Sequence, residues 1–128
     1  MNSFEQMEAV IAQRRAEPQE GSYTCYLFEK GIDKILKKVG EECAETIIAA
    51  KNGRQEETVG EISDLIYHLT VMMAQQNIPL EAVLEELDRR IQDLATRGIA
   101  MAPGQGLADL MAYRGPLYEK YADLIVDC

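Results

Sequence analysis

The sequence predicts an all-α protein, a bundle of four to five helices followed by an irregular C-terminal tail, and three observations carry that prediction. The chain has no Trp, only 2 Phe and few β-branched clusters, so it is poor in the residues that suit a pleated, half-buried sheet. Apolar residues recur three and four apart through successive segments, which is the spacing of one helix face. The segments are separated by short Gly-, Pro- and Asn-bearing breaks, and short connections set consecutive helices antiparallel. At 128 residues the chain is long enough for one substantial core and too short for two.

Ser3-Phe-Glu-Gln6 reads as a capping box, with Ser3 as N-cap and Gln6 reaching back. Phe4, Met7, Val10 and Ile11 then define a first helix to about Ala16, closed by Pro18 and Gly21. Gly21-Ser-Tyr-Thr24 opens a short second helix that runs to Lys30 and stops at Gly31. Asp33 is the expected N-cap of the third helix, which runs to Lys51 and ends at Asn52-Gly53. Its apolar stripe is Ile35, Leu36, Val39, Cys43, Ile47 and Ala50. At about 100° per residue, Lys34, Lys38, Glu42, Glu45 and Ala49 fall on another side.

A fourth helix follows Gly53, with Val59, Ile62, Leu65, Ile66, Leu69, Met72 and Met73 apolar and Glu57, Glu61, Asp64 and His68 on the opposite flank. Asn77–Pro79 breaks it, and Leu80 to about Ala95 forms a fifth, with Val83, Leu84, Leu87 and Ile91 expected inward. After Arg97 the texture changes, so the expected organisation is a helical domain over 1–97 and a Gly- and Pro-punctuated tail over 98–128. The tail holds one short helical pattern, Leu107–Tyr113, and a strand-like run, Ala122–Asp127. It lacks paired acids and is expected to be dispensable for catalysis.

Gly31–His68 is the stretch with chemistry in it. Glu42 and Glu45 form a Glu-x-x-Glu pair, and Glu61 and Asp64 form Glu-x-x-Asp. Residues three apart are neighbours on a helix, and like charges so placed repel. A hard divalent cation such as Mg²⁺ removes the repulsion, because it takes carboxylate and phosphate oxygens in octahedral geometry. The competing reading is a solvated acidic face. Lys34, Lys37 and Lys38 precede the first pair by one to two turns. Beside a metal they suit a polyphosphate; alone, they offset glutamates such as Glu42 at i, i+4. His68, the single histidine, either touches phosphate or is structural, and Tyr23 and Thr24 either meet a ribose or base or serve capping and packing.

Several function classes are excluded. A net charge of -9 argues against binding a nucleic-acid backbone. One histidine and no Cys-x-x-Cys spacing leave histidine-rich metal sites, zinc sites and Ser/His/Asp hydrolysis without support, and no Walker or dinucleotide glycine pattern occurs. Three cysteines, an odd number, fit free thiols in a reducing compartment. No run approaches the length of a membrane span, and the start lacks the character of a signal peptide, so a cytoplasmic location is expected.

Ser-Tyr-Thr at 22–24, Lys-Ile-Leu-Lys-Lys-Val-Gly-Glu-Glu at 34–42 and Glu-Ile-Ser-Asp-Leu-Ile-Tyr-His at 61–68 resemble the phosphoribosyl-ATP pyrophosphohydrolase family, within the all-α nucleotide pyrophosphohydrolase superfamily. The resemblance covers about Phe4–Ile91. It implies Mg-dependent hydrolysis of a small nucleotide, phosphoribosyl-ATP, in the second step of histidine biosynthesis. It further implies Mg²⁺ on Glu42, Glu45, Glu61 and Asp64, Glu41 as base or extra ligand, phosphate contacts from Lys34 and Lys38, and a homodimer whose two chains complete the bundle. The runner-up is a house-cleaning nucleoside triphosphate pyrophosphohydrolase of the same superfamily, and the rival of another class is a non-catalytic acidic helical module. The cyclohydrolase domain to which the family is often fused is absent from this sequence, so one reaction step is expected. Leu107–Asp127 is similar to the late helix and final strand of shikimate kinase, where the arginine matching Arg114 touches shikimate, but without a phosphate loop no kinase activity is implied.

Overall fold

A computed structural model describes residues 2–99 of the chain. Five helices follow one another, α1 (Ser3–Ala16), α2 (Tyr23–Lys30), α3 (Ile32–Lys51), α4 (Gln55–Gln75) and α5 (Leu80–Ile99), and no strand occurs among the described residues. The all-α expectation holds. Both tail patterns, Leu107–Tyr113 and Ala122–Asp127, lie outside the described residues, as does Arg114. The chain divides into two compact units, Met1–Leu84 and Glu85–Cys128.

Within the first unit, α3 and α4 form an antiparallel hairpin that α1 and α2 pack against. The centre is built from one side chain of each of α1 to α4: Ile11, Leu27, Ile35 and Val71 are all buried, with Met7, Phe28, Tyr67 and Met72 against them. Cutting any of the four back to alanine should cost roughly 2–5 kcal/mol, through lost transfer energy and an unfilled cavity.

Two helix starts differ from expectation. Asn2, not Ser3, caps α1: its side chain accepts the Glu5 amide at 2.9 Å while the Glu5 carboxylate accepts the Asn2 amide at 3.3 Å. The Asn2/Glu5 and Ser3/Gln6 pairs are offset by one residue, and the one with a carboxylate at the positive helix end prevails. Asp33 is likewise not a cap, because Gly31 at φ 91° ends α2 and starts α3, which leaves Asp33 in the first turn. There its charge still favours the helix dipole.

The larger correction concerns which faces turn inward. On α3 the buried residues are Ile35, Glu42 and Ala49, while Leu36, Ile47 and Ile48 are exposed. On α4 His68, Thr70 and Val71 are buried, and Val59 and Ile62 are exposed. The apolar residues of α5 expected inward, Val83, Leu87 and Ile91, are exposed as well. Each of α3 and α4 carries two usable faces, and α1 and α2 are docked on the mixed one.

Candidate active site

The hairpin brings the acids of α3 and α4 into register. Glu42, Glu45 and Glu61 each offer a carboxylate oxygen within 4.8 Å of the others. Glu42 is buried, Glu61 half-buried and Glu45 exposed, so the cluster opens from the interior to solvent. Asp64 is not part of this group: it lies one turn further along α4, exposed. Three of the four acids expected to share a metal are therefore together.

The electrostatics are those of a site short of positive charge. Crowding by Glu45, then burial, then Glu42 push the Glu61 carboxyl up to about 7. Glu42 Oε2 and Glu61 Oε2 are buried and have no hydrogen-bond partner among the described residues. A buried carboxylate oxygen without a donor is costly. Converging oxygen donors of this kind fit a hard divalent cation, and Mg²⁺ suits carboxylates better than nitrogen or sulfur ligands.

Among the described residues Lys38 is the cation paired with this cluster, with Nζ 3.1 Å from Glu41 Oε2 and 3.7 Å from Glu42 Oε1. The hydrogen bond to Glu41 raises the lysine and holds the Glu41 carboxyl below the usual carboxylate range. Glu41 thus stands outside the cluster, anchoring Lys38, and in this arrangement is a weakened proton acceptor. Lys34, half-buried one turn earlier, adds positive potential at Glu41.

His68 is buried, and both of its nitrogens are occupied by protein groups: Nδ1 lies 2.7 Å from the Asp64 carbonyl oxygen and Nε2 2.9 Å from the Tyr23 hydroxyl. Thr24 Oγ1 is hydrogen-bonded to the Tyr67 hydroxyl. Burial raises the Tyr23 phenol above its ordinary value, and Lys38 pulls it back, so Tyr23 shares the electrostatic neighbourhood of the lysine. Sequence reasoning missed Tyr67. Its partner is 43 residues away and no local signal announces it.

An all-α scaffold whose hairpin gathers carboxylates beside a tethered lysine suits a hydrolase that works through a bound cation. The phosphoribosyl-ATP pyrophosphohydrolase family matches residues 4–91, and the chain belongs to that family. It is similar to the "Phosphoribosyl-ATP pyrophosphatase" of Listeria monocytogenes serotype 4b (strain CLIP80459), 58% identical over 86 residues that cover 67% of this chain and 82% of that one. It is also similar to the "Histidine biosynthesis bifunctional protein HisIE" of Halalkalibacterium halodurans, 57% identical over 84 residues and 66% of this chain, and of Bacillus subtilis, 54% identical over 89 residues and 70% of this chain. The match spans 40% and 43% of those two bifunctional proteins. The likeness of Leu107–Asp127 to shikimate kinase is not borne out by these comparisons.

Proposed function

We propose that this chain hydrolyses phosphoribosyl-ATP to phosphoribosyl-AMP and pyrophosphate, the second step of histidine biosynthesis. The observation that carries the site assignment is the convergence of Glu42, Glu45 and Glu61 with two buried oxygens left without donors among the described residues. We assign Mg²⁺ to these residues, with Asp64 as the fourth ligand from the next turn of α4. When bound, such an ion polarises the phosphoanhydride and lowers the pKa of bound water. The protein's part is to hold the oxygens in place and to present Lys38, tethered between Glu41 and Glu42, and Lys34 to the phosphates. Water adds to one phosphorus, the bridge to pyrophosphate breaks, and a carboxylate takes the proton. Glu41 can serve as that base once phosphate draws Lys38 away, since its lowered pKa depends first on that lysine.

The active form we infer is a homodimer. Leu36, Ile47, Ile48, Val59 and Ile62 are exposed on α3 and α4, and several large apolar side chains left in water on neighbouring helices suit burial against a second copy. A sedimentation run that shows an active 14.4 kDa monomer would refute it. We assign the reaction to the cytoplasm; no described helix is long and apolar enough to cross a membrane, and Cys25 and Cys43 are free.

The deciding assay compares pyrophosphate release from phosphoribosyl-ATP, dATP and dUTP. Preference for phosphoribosyl-ATP is expected. Preference for a deoxynucleotide would make the chain a house-cleaning pyrophosphohydrolase, and no release from any would leave an acidic binding module.

A further inference from the structure

His68 lies 2.7 Å, through Nδ1, from the Asp64 carbonyl oxygen, a group that only accepts, so Nδ1 carries the proton. In the neutral ring Nε2 is then bare, and at 2.9 Å it accepts the Tyr23 O–H. The rings of Tyr23 and Tyr67 meet the imidazole edge-on, with centroids 5.7 and 5.0 Å away. No nitrogen is left for a substrate. One position along each helix, Thr24 and Tyr67 join their hydroxyls, so adjacent residues of α2 are tied twice to adjacent residues of α4. These two bonds add to the packing of Leu27 and Phe28 in fixing the rotation of α2, and Tyr23, 44% exposed, reaches solvent within the field of Lys38.

We propose that His68 is a positioning residue, which fixes the Tyr23 hydroxyl, and with it the exposed face of α2, against the turn of α4 that carries Glu61 and Asp64. This rests on the reading of that turn as part of the reactive centre. Tyr23 is the group of the pair that meets the substrate, and His68 acts only through it. A direct phosphate ligand would need a free nitrogen or a proton facing solvent, whereas His68 is 5% exposed.

The chain has 1 His, so ¹⁵N labelling of histidine reports a single imidazole. In the neutral ring, the full chain should show the Nδ1–H tautomer with Nε2 bare, and Tyr23→Phe should shift the Nε2 signal while leaving the proton on Nδ1. An Nε2–H ring, or an Nε2 signal indifferent to Tyr23→Phe, overturns the proposal. In pyrophosphate release from phosphoribosyl-ATP, Tyr23→Phe and His68→Gln should each raise KM about fivefold, the scale of one lost hydrogen bond, with kcat held. The double variant should do no more than Tyr23→Phe alone, as expected when one residue acts through the other. Multiplying effects would make His68 an independent ligand and sink the idea. If His68→Gln does not fold, the spectrum and Tyr23→Phe decide. A wild-type chain inactive on phosphoribosyl-ATP defeats the functional reading, while the spectrum still judges the His68–Tyr23 link.

Discussion

Two helical surfaces of this chain carry acids at nearly the same spacing and treat them in opposite ways. On α5, Glu86 lies between Arg89 and Arg90, and Arg89 also reaches Asp93, with every pair solvent-exposed. The arginines pull the Glu86 carboxyl down to about 2. On α3 and α4, Glu42, Glu45 and Glu61 converge, and the Glu61 carboxyl is pushed up to about 7. The spacing of acids along one helix therefore does not separate a solvated face from a site. What separates them is whether a second helix brings more acids to the same point than the cations of the first can pair, as Glu61 does beside Glu42 and Glu45 despite Lys38.

The sharpest way to break this contrast is catalytic. Glu45→Gln, Glu61→Gln or Asp64→Asn should each lower kcat/KM more than tenfold, or at least about 1.4 kcal/mol of transition-state stabilisation. Glu86→Gln should leave it unchanged, because its partners neutralise it on the surface of α5. A variant of the cluster that keeps more than about a tenth of wild-type activity would reduce it to another charged face.

Metal-linked stability comes next. Mg²⁺ that binds only the folded chain stabilises it by about 2.7 kcal/mol at a hundred times Kd. The melting temperature should therefore rise with millimolar Mg²⁺ at matched ionic strength, and Glu61→Gln should remove most of the rise. If Mg²⁺ binds only along with substrate, a non-hydrolysable analogue should restore the shift.

A smaller effect should appear in the pH dependence of metal-free protein. Glu61 has a folded pKa above its unfolded one, so its native form binds more protons between pH 4.5 and about 7. Stability from this group is full below 4.5 and is lost as pH rises through about 7. Glu86 runs the other way: its contribution is present above 4.5 and is lost as pH falls toward about 2. Melting curves of Glu61→Gln and Glu86→Gln across this range should flatten the neutral and the acid limb respectively. Identical curves would refute the contrast.

The smallest expected change is Arg54→Ala, which breaks the exposed bridge to Glu57 at the start of α4. Such pairs typically give 0.2–1 kcal/mol or roughly nothing measurable, and a Tm shift beyond a few degrees would show that surface pairs matter more here than the cluster argument allows.

Much of this was legible in the sequence because it is local. The five helices, their breaks at Gly31, Asn52-Gly53 and Asn77–Pro79, and the pairing of acids three apart follow from backbone preferences and a fixed helical repeat. The errors at Ser3 and Asp33 are of the same local kind, since adjacent residues offered competing caps and the chain used the neighbour. Facing was not local. The apolar stripe of α3 looked like its core face, yet Glu42 and Ala49 went in while Ile47 and Ile48 stayed out.

Sequence alone therefore determined which segments are helical, which residues share a side of each helix, and that acids and lysines occupy one short region. Only the tertiary structure decided that Glu42, Glu45 and Glu61 meet while Asp64 stands apart, that Lys38 leans on Glu41, and that His68 spends both nitrogens on Asp64 and Tyr23. The reason is rotational. A helix repeats the same geometry whatever surrounds it, but its rotation about its own axis is set by the neighbours it packs against, and those neighbours lie tens of residues away in the chain.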